Sequence, residues 1–317
     1  MRIVFIGASK FGLRSLERLV ALNDVELIGV VTAPESFPIS YNLKGVKNVL
    51  YADVPSYCTQ NDIAYEVISN GMKDINLYDR VVSWKPDVFI VVGWYHMLPQ
   101  SWLDIAPTYG MHASLLPDYS GGAPLVWAMI NGEEKTGISF FQFADGVDNG
   151  PIVAQVETKI LPKDTIATLY DRIEELGLDL LTTYVPLLRT GEVRLIIQNE
   201  ANRRIMPQRT PSDGLIDWAQ EALVIDRFIR AQTRPYPGAF TYYDGKKVHI
   251  WSAKPVITEV TERSGFLSHQ KDGNVWVFCK DGPIELEVIS FEGTNYTGKE
   301  ISRLFDHGGF LISEEAV

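Results

Sequence analysis

The sequence holds little cysteine: two in 317 residues, Cys58 and Cys279. No Cys-x-x-Cys spacing occurs, which excludes a zinc site built on paired thiolates. Two isolated cysteines make no disulfide framework, and they read as reduced thiols of a cytoplasmic protein. Long apolar runs are missing as well. None approaches the roughly 20 residues that a membrane-spanning helix needs, and the opening MRIVFIGASKFG lacks the long apolar region and cleavage site of a secretory signal. Positive charge is scarce: 29 Lys and Arg stand against 40 Asp and Glu, a formal net charge of −11. Polyanions are gripped largely by lysines and arginines on phosphates, so no nucleic-acid partner is expected. Nucleotide motifs are missing too. The loop GASKFG (residues 7–12) contains neither Gly-x-Gly-x-x-Gly nor Gly-Lys-Ser/Thr, and dinucleotide and P-loop readings both fail. Its glycines are expected to permit a tight strand-to-helix turn beside a ligand.

What is present has the rhythm of an α/β protein. RIVFIG (residues 2–7), VELIGVVT (25–32) and DVFIVVG (87–93) are continuous apolar runs, as strands covered on both faces require. Between the first two, Phe11, Leu13, Leu16, Leu19 and Leu22 recur mostly three apart, which predicts an amphipathic helix and a right-handed crossover. GISFFQF (137–143) and GPIVAQVETKI (150–160) add strands. Thr165 can cap a long helix whose apolar face is Ile166, Leu169, Ile173, Leu176 and Leu180; Pro186 should kink or end it, with Gly191 just beyond. The fold class expected for residues 1–197 is therefore α/β, an open, mostly parallel, Rossmann-like sheet. Residues 198–214 are polar, with arginines and prolines, and read as a linker. After a short helix at about 216–232, residues 215–317 alternate short strands with Asp-Gly turns at 244–245, 272–273 and 281–282. These are hairpin signals, and predict a small β-barrel or sandwich. Its aromatics Trp251, Trp276 and Phe278 suit either nucleic-acid stacking or the barrel's own core, and the core reading is preferred.

Ligands of open α/β sheets bind outside the carboxyl ends of the strands, and one stretch there carries chemistry: GMHASLLPDYSGGAPLVWAMINGE (110–133). A lone histidine such as His112 can simply be a core residue bonded to backbone. A second strand-end loop, DGVDNGPI (145–152), brings two carboxylates among glycines, a composition that plain hairpin turns share. A histidine and an aspartate converging at one cleft would make an acid–base pair with an orienting carboxylate.

Taken together, HASLLPDYSGGAP followed by DGVDNGPI resembles the paired signature of the folate-dependent formyltransferases, and the resemblance extends over nearly the whole chain. It implies that residues 215–317 form a small oligonucleotide-binding-like barrel, and that the donor is N10-formyltetrahydrofolate, with no metal. His112 and Asp148 match the catalytic pair. The donor would be held by Gly93, Trp94, Tyr95, Met97, Leu98, Asp145 and Gly146, although Trp94 and Tyr95 equally suit ordinary packing; His96 is read as non-catalytic. Two positions depart from the pattern. Gly110 stands where members carry asparagine two residues before the histidine, and Ser120 stands where an arginine is common.

For the acceptor, the stretch APESFPISYNLKGVKN (33–48) lacks arginine where the tRNA-directed members carry a basic loop. With the acidic balance, this favours a small nucleotide-linked amino sugar, such as the UDP-linked 4-amino-4,6-dideoxy sugars of pseudaminic-acid-type pathways. On that reading Ser9, Lys10 and Phe11 border the nucleotide sugar, and Ser114 and Tyr119 lie near its amine. Arg203 and Arg204 meet phosphates or simply sit in a solvated linker. The alternatives are methionyl-tRNA as acceptor, hydrolysis of the formyl donor, and a non-catalytic folate or sugar-nucleotide binder.

Overall fold

The apolar run that opens the chain is buried strand β1 (Arg2–Ile6) in a computed structural model of the protein, which describes residues 1–23, 25–39, 42–305 and 308–313. Ile3, Val4, Phe5 and Ile6 are fully buried. Ser9 then caps the helix Lys10–Val20, its hydroxyl accepting the Gly12 N–H at 3.1 Å. The glycines of GASKFG serve close approach: a Cβ at Gly7 or Gly12 would lie 2.4 or 2.8 Å from the Val92 carbonyl oxygen.

Strands β2 (Glu26–Thr32), β3 (Ser36–Ile39), β4 (Asn42–Lys47), β5 (Tyr65–Val67), β6 (Val88–Val91), β7 (Thr108–His112), β8 (Ser120–Gly121), β9 (Lys135–Gln142), β10 (Ile152–Lys159) and β11 (Ile205–Met206) follow. Seven strands form one sheet in the order β10-β9-β7-β6-β1-β2-β5. β1 pairs parallel with β2 and β6, as do β2 with β5 and β6 with β7, while β9 runs antiparallel to β7. The mostly parallel sheet read from the sequence is therefore present. β6 ends with Val91 opposite Gly110, so β7 outruns it and leaves His112 at the carboxyl end of the parallel strands. β3 and β4 form a separate hairpin in the arginine-free stretch, of which residues 40 and 41 lie outside the described residues.

The long helix is Ile166–Thr190. The Thr165 hydroxyl accepts the Thr168 N–H at 3.4 Å, and Gly191 follows the last turn at φ +70°. The helix runs through Pro186 rather than ending there, at the cost of one ladder bond. A Cβ at its Gly177 would lie 2.5 Å from the tip of Phe11 and 2.8 Å from Ile138, so only glycine lets this turn pack so closely.

Two compact units divide the chain, and neither is continuous: residues 1–124, 135–158 and 171–207 form one, residues 125–134, 159–170 and 208–317 the other. Composition had suggested a linker at 198–214. Instead β11 pairs parallel with β8, which builds residues 205–206 into the first unit. In the second, the Arg209 guanidinium lies 4.7 Å over the Trp127 ring and 5.9 Å from Phe228, which ties the helix around Trp127 to the C-terminal half.

The second unit contains β12 (Ala239–Tyr243), β13 (Lys246–Pro255), β14 (Leu267–His269), β15 (Val275–Phe278), β16 (Pro283–Phe291) and β17 (Thr294–Thr297). All three Asp-Gly pairs lie between antiparallel strands, joining β12 to β13, β14 to β15 and β15 to β16. Residues 310 and 312 bridge Phe266 beside β14 and Tyr242 in β12, bringing the two edges of the sheet together as a barrel does. The helix here is Ala222–Gln232, starting later than expected because Leu215 bridges to Phe240 and the Ile216 N–H bonds its carbonyl. Ile225, Ile229, Val248, Ile250, Val277 and Ile289 fill the core. Phe278 is buried, whereas Trp251 and Trp276 are half-buried, their indole N–H groups held by Ser290 and Glu285. The two tryptophans are thus at the wall of the barrel, not in its core. Among the described residues, no helix is long and apolar enough to cross a membrane.

Candidate active site

Strand geometry puts Gly110 and His112 on one face of β7. The His112 side chain is 11% exposed, with Nδ1 3.5 Å from Asp148 Oδ2 and Nε2 2.8 Å from the Tyr119 carbonyl oxygen. A carbonyl only accepts, so Nε2 carries hydrogen. Nδ1 then faces a carboxylate oxygen. At 3.5 Å the two groups are close enough to exchange a proton during a reaction. His112 and Asp148 are therefore placed to hold and pass one proton. Asp148 Oδ2 also accepts the Gly121 N–H at 2.8 Å, a charge-assisted bond that fixes the carboxylate.

Asp148 needs this support because of its route. β9 runs against β7, with Gln142 opposite Tyr109, so the loop after β9 must fold back towards His112. Gly150 permits the reversal: a Cβ there would lie 1.7 Å from the Gln142 carbonyl oxygen. Asp148 sits at φ +48°, a left-handed conformation uncommon outside glycine. Two side chains from the stretch first read as linker hold the loop. Gln198 Nε2 donates to the Asp148 and Gly150 carbonyls at 2.8 and 2.6 Å, and Arg203 donates to the Val147 carbonyl at 2.7 Å while pairing with Glu200.

The opposite wall is residues 114–121. Tyr119 is left-handed too, at φ +53°. The Ser114 hydroxyl bonds the Asp118 carbonyl, and Arg204 grips the Asp118 carboxylate with two bonds of 2.6 and 2.5 Å. The same guanidinium lies 4.5 Å over the Tyr119 ring. The β8–β11 ladder completes the wall, with the Ser120 N–H donating to the Arg204 carbonyl.

The residues expected around the donor divide. Trp94 and Leu98 pack on the apolar cluster that contains Val91 and Trp102, and Phe143, just before Asp145, packs on the same cluster. Tyr95 and Met97 face outward, Met97 being 71% exposed. Met97 lines a cavity of about 290 Å³ with Asn70, Gly71, Met72, Lys73, His96 and Pro99. Gly93 is held against Ser9, where a Cβ would clash, and Asp145 and Gly146 shape the turn, the Asp145 carbonyl accepting from Asn149. Trp94 Nε1 and His96 Nε2 are buried without hydrogen-bond partners among the described residues. Burial also lowers the His96 pKa below its ordinary value. A flat heterocycle rich in donors and acceptors would satisfy such groups, so the residues present fit a pterin.

The residues expected around the acceptor are more heavily committed. The Ser9 hydroxyl is used as a helix cap, Phe11 packs on Gly177, and Ser114 braces its own loop; their side chains are engaged in structure before any ligand arrives. Lys10 is exposed. Arg203, 10% exposed, is a strut rather than a solvated linker residue. Arg204 and Tyr119 do flank His112, through the Tyr119 carbonyl. Sequence reasoning missed Gln198, the Tyr119 carbonyl, the Gly121 N–H and Phe143. Backbone groups leave no mark in a sequence, and a glutamine in a polar stretch gives no signal.

Gly110 has a steric cause. A Cβ there would lie 2.5 and 2.7 Å from Phe143 ring carbons and 2.8 Å from the Val91 carbonyl oxygen. The Phe143 ring fills that space. Among the described residues, no group of three His, Cys, Asp or Glu could hold a metal ion.

Comparison with known proteins shows the family. Residues 1–185 match the formyl transferase family and residues 209–302 the formyl transferase C-terminal domain family. The chain is similar to a methionyl-tRNA formyltransferase of Alkaliphilus oremlandii, 31% identical over 306 residues and 94% of each chain. A methionyl-tRNA formyltransferase of Geobacter metallireducens is 33% identical over 301 residues and 92% of each chain. In fold, it is similar to the N-formyltransferase from Helicobacter canadensis in complex with folinic acid and dTDP-3-aminofucose, with a TM-score of 0.65 and 17% identity over 90% of this chain and 98% of that one.

Proposed function

From a chain that belongs to the folate-dependent formyltransferase family, and takes its one-carbon unit from N10-formyltetrahydrofolate, we infer that His112 and Asp148 transfer formyl to a primary amine. The single observation that carries the assignment is the pair itself, held at the end of β7 by Tyr119, Gly121 and Gln198. When bound, the donor supplies an electrophilic formyl carbon. The amine nitrogen bonds to that carbon, the bond from carbon to N10 breaks, the amine loses a proton and N10 gains one. His112, its Nε2 held by the Tyr119 carbonyl and its Nδ1 facing Asp148, relays the proton between the amine and N10. Asp148 orients the ring and holds the proton in transit.

For the acceptor, similarity at 31–33% identity across more than nine-tenths of the chain favours methionyl-tRNA. That weighs against the nucleotide sugar expected from charge and the arginine-free stretch, and against the expectation of no nucleic-acid partner. The sugar remains the second reading on particular observations. The net charge is −11, residues 33–48 contain no arginine, and Arg204, the cation beside the Tyr119 wall, is already paired with Asp118. The test is a side-by-side assay of initiator methionyl-tRNA and UDP- and dTDP-linked amino sugars, with the products weighed by mass spectrometry. Formylation of the tRNA, lost in His112→Ala, supports the first reading. Formylation of a sugar but not the tRNA reverses the order.

A further inference from the structure

We propose that Phe143 is a positioning residue that keeps water from the formyl group, so that His112 and Asp148 serve an amine and not hydrolysis. The inference rests on the formyl-transfer reading and goes beyond it.

Residues two apart on a strand share a face, so the direction of a side chain at 110 runs alongside that of His112. Phe143 occupies this direction: its ring edge stands 2.5–2.7 Å from where a Cβ of residue 110 would be. The ring does not swing freely. It stacks on Phe141 with centroids 5.0 Å apart and planes 28° apart, and it packs on both the cluster of Leu116, Phe141 and Ile152 and the cluster that carries Trp94 and Leu98. Phe141 itself faces Gly110 across the β7–β9 ladder. An apolar wall therefore runs from the donor side, Trp94 and Leu98, along Gly110 towards His112. In place of a polar side chain at 110, which would carry its own hydrogen bonds to water, the chain has a glycine sealed by a phenyl ring.

The chemistry gives the wall a purpose. Water and an amine compete for the same electrophilic carbon, and a general base that accepts the amine's proton can also accept one from water. With water, the oxygen bonds to the formyl carbon, the bond to N10 breaks, a proton passes to N10, and formate and tetrahydrofolate leave. Excluding solvent suppresses that side reaction. Removing the ring would open a space at Gly110 beside the Val91 carbonyl, on the strand face that carries His112. A phenyl ring is larger than a water molecule, and the Val91 carbonyl would offer an entering water an acceptor.

The test measures partition. Wild type, Phe143→Ala and Phe143→Leu are each given N10-formyltetrahydrofolate, with and without acceptor amine, and formate and formylated amine are both counted. The ratio of formate to formylated amine is expected to rise at least tenfold in Phe143→Ala and less in Phe143→Leu. The added His112→Ala change should abolish the extra formate. A ratio counts only active enzyme, so poor folding of Phe143→Ala does not disturb it, and Phe143→Leu supplies the same reading in a milder change. A ratio that stays at the wild-type value in both variants while turnover falls would overturn the proposal and reduce Phe143 to packing. Wild type that turns over no donor with amine or water would instead overturn the formyl-transfer reading, and this proposal with it.

Discussion

Left-handed residues occur both at the strand-end site and in the C-terminal barrel, but for different reasons. In the barrel, Asp244 (φ +48°) and Glu292 (φ +46°) are each followed by glycine, at φ +73° and +80°, and each pair spans one residue of β12 or β16 and its partner on the next strand. Two-residue hairpins with both central residues left-handed match the twist of the strands, so the turn itself requires the conformation. At the site, Tyr119 (φ +53°) and Asp148 (φ +48°) are followed by Ser120 and Asn149, and no hairpin demands their geometry. What they achieve is placement: a carbonyl on His112 Nε2 and a carboxylate near Nδ1. Strain explained by local geometry belongs to folding. Strain that remains once local geometry is counted marks function.

The most severe way to test that division is to remove the site's chemistry and leave its shape. His112→Ala should reduce formyl transfer by about 10²–10⁴-fold, the usual worth of a positioned acid–base group, while the denaturant midpoint moves little. Asp148→Asn should follow, because the amide can still accept the Gly121 N–H but cannot hold the proton. Loss of activity matched by an equal loss of stability in either variant would erase the distinction drawn between the two regions.

A middle test attacks shape in place of chemistry. Gly110→Ala forces a methyl group into the Phe143 ring and the Val91 carbonyl, and overpacking of this kind costs about 1–3 kcal/mol. Phe143→Leu should recover part of that loss. Gln198→Ala leaves the Asp148 and Gly150 carbonyls without their donor, at a cost of about 1–3 kcal/mol, with transfer falling as Asp148 loses its anchor. Urea titration of each variant beside its activity gives both effects.

These residues also define how far the sequence can be read. The parallel strands were legible because doubly covered strands must be apolar throughout, and the barrel's three Asp-Gly turns because few residues adopt their conformation. His112 and Asp148 were legible because side chains must perform the chemistry. Their supports were not. Tyr119 acts through its carbonyl and Gly121 through its N–H, which any residue could offer. Gln198 and Arg203 lie in a polar stretch that looks like a linker, because polar residues that bond to a buried loop and those that face water have the same composition. The discontinuity of the two compact units is hidden for a related reason: Arg209 over Trp127 is a contact between distant segments, and composition along the chain does not register it.

A smaller effect concerns the two buried thiols. Burial pushes the Cys58 thiol up to about 11 and Cys279 up to about 12. In the unfolded chain a thiol ionises near about 8.5. The folded state holds its protons where the unfolded state releases them, so stability should decline as pH rises from about 8.5 towards 11. The decline should be lost in Cys58→Ala, Cys279→Ala. Iodoacetamide at pH 8 should label neither cysteine until the protein is unfolded.

The finest test compares one left-handed residue from each region by the same substitution. Asparagine tolerates this conformation better than glutamate or tyrosine, since its short side chain bonds its own backbone. Glu292→Asn should therefore stabilise the barrel by roughly 0.5 kcal/mol through relief of turn strain, and leave transfer unchanged, although it also gives up an exposed pairing with Lys246. Tyr119→Asn relieves the same kind of strain, but it removes the ring beneath Arg204 and frees the segment whose carbonyl fixes His112. Its transfer rate should fall even where its backbone is easier to hold. If the two variants behave alike, gaining stability with activity intact, then Tyr119 is only another turn residue. If they diverge, the conformation at 119 is retained for the orientation it gives His112, at the expense of the stability a more tolerant residue would bring.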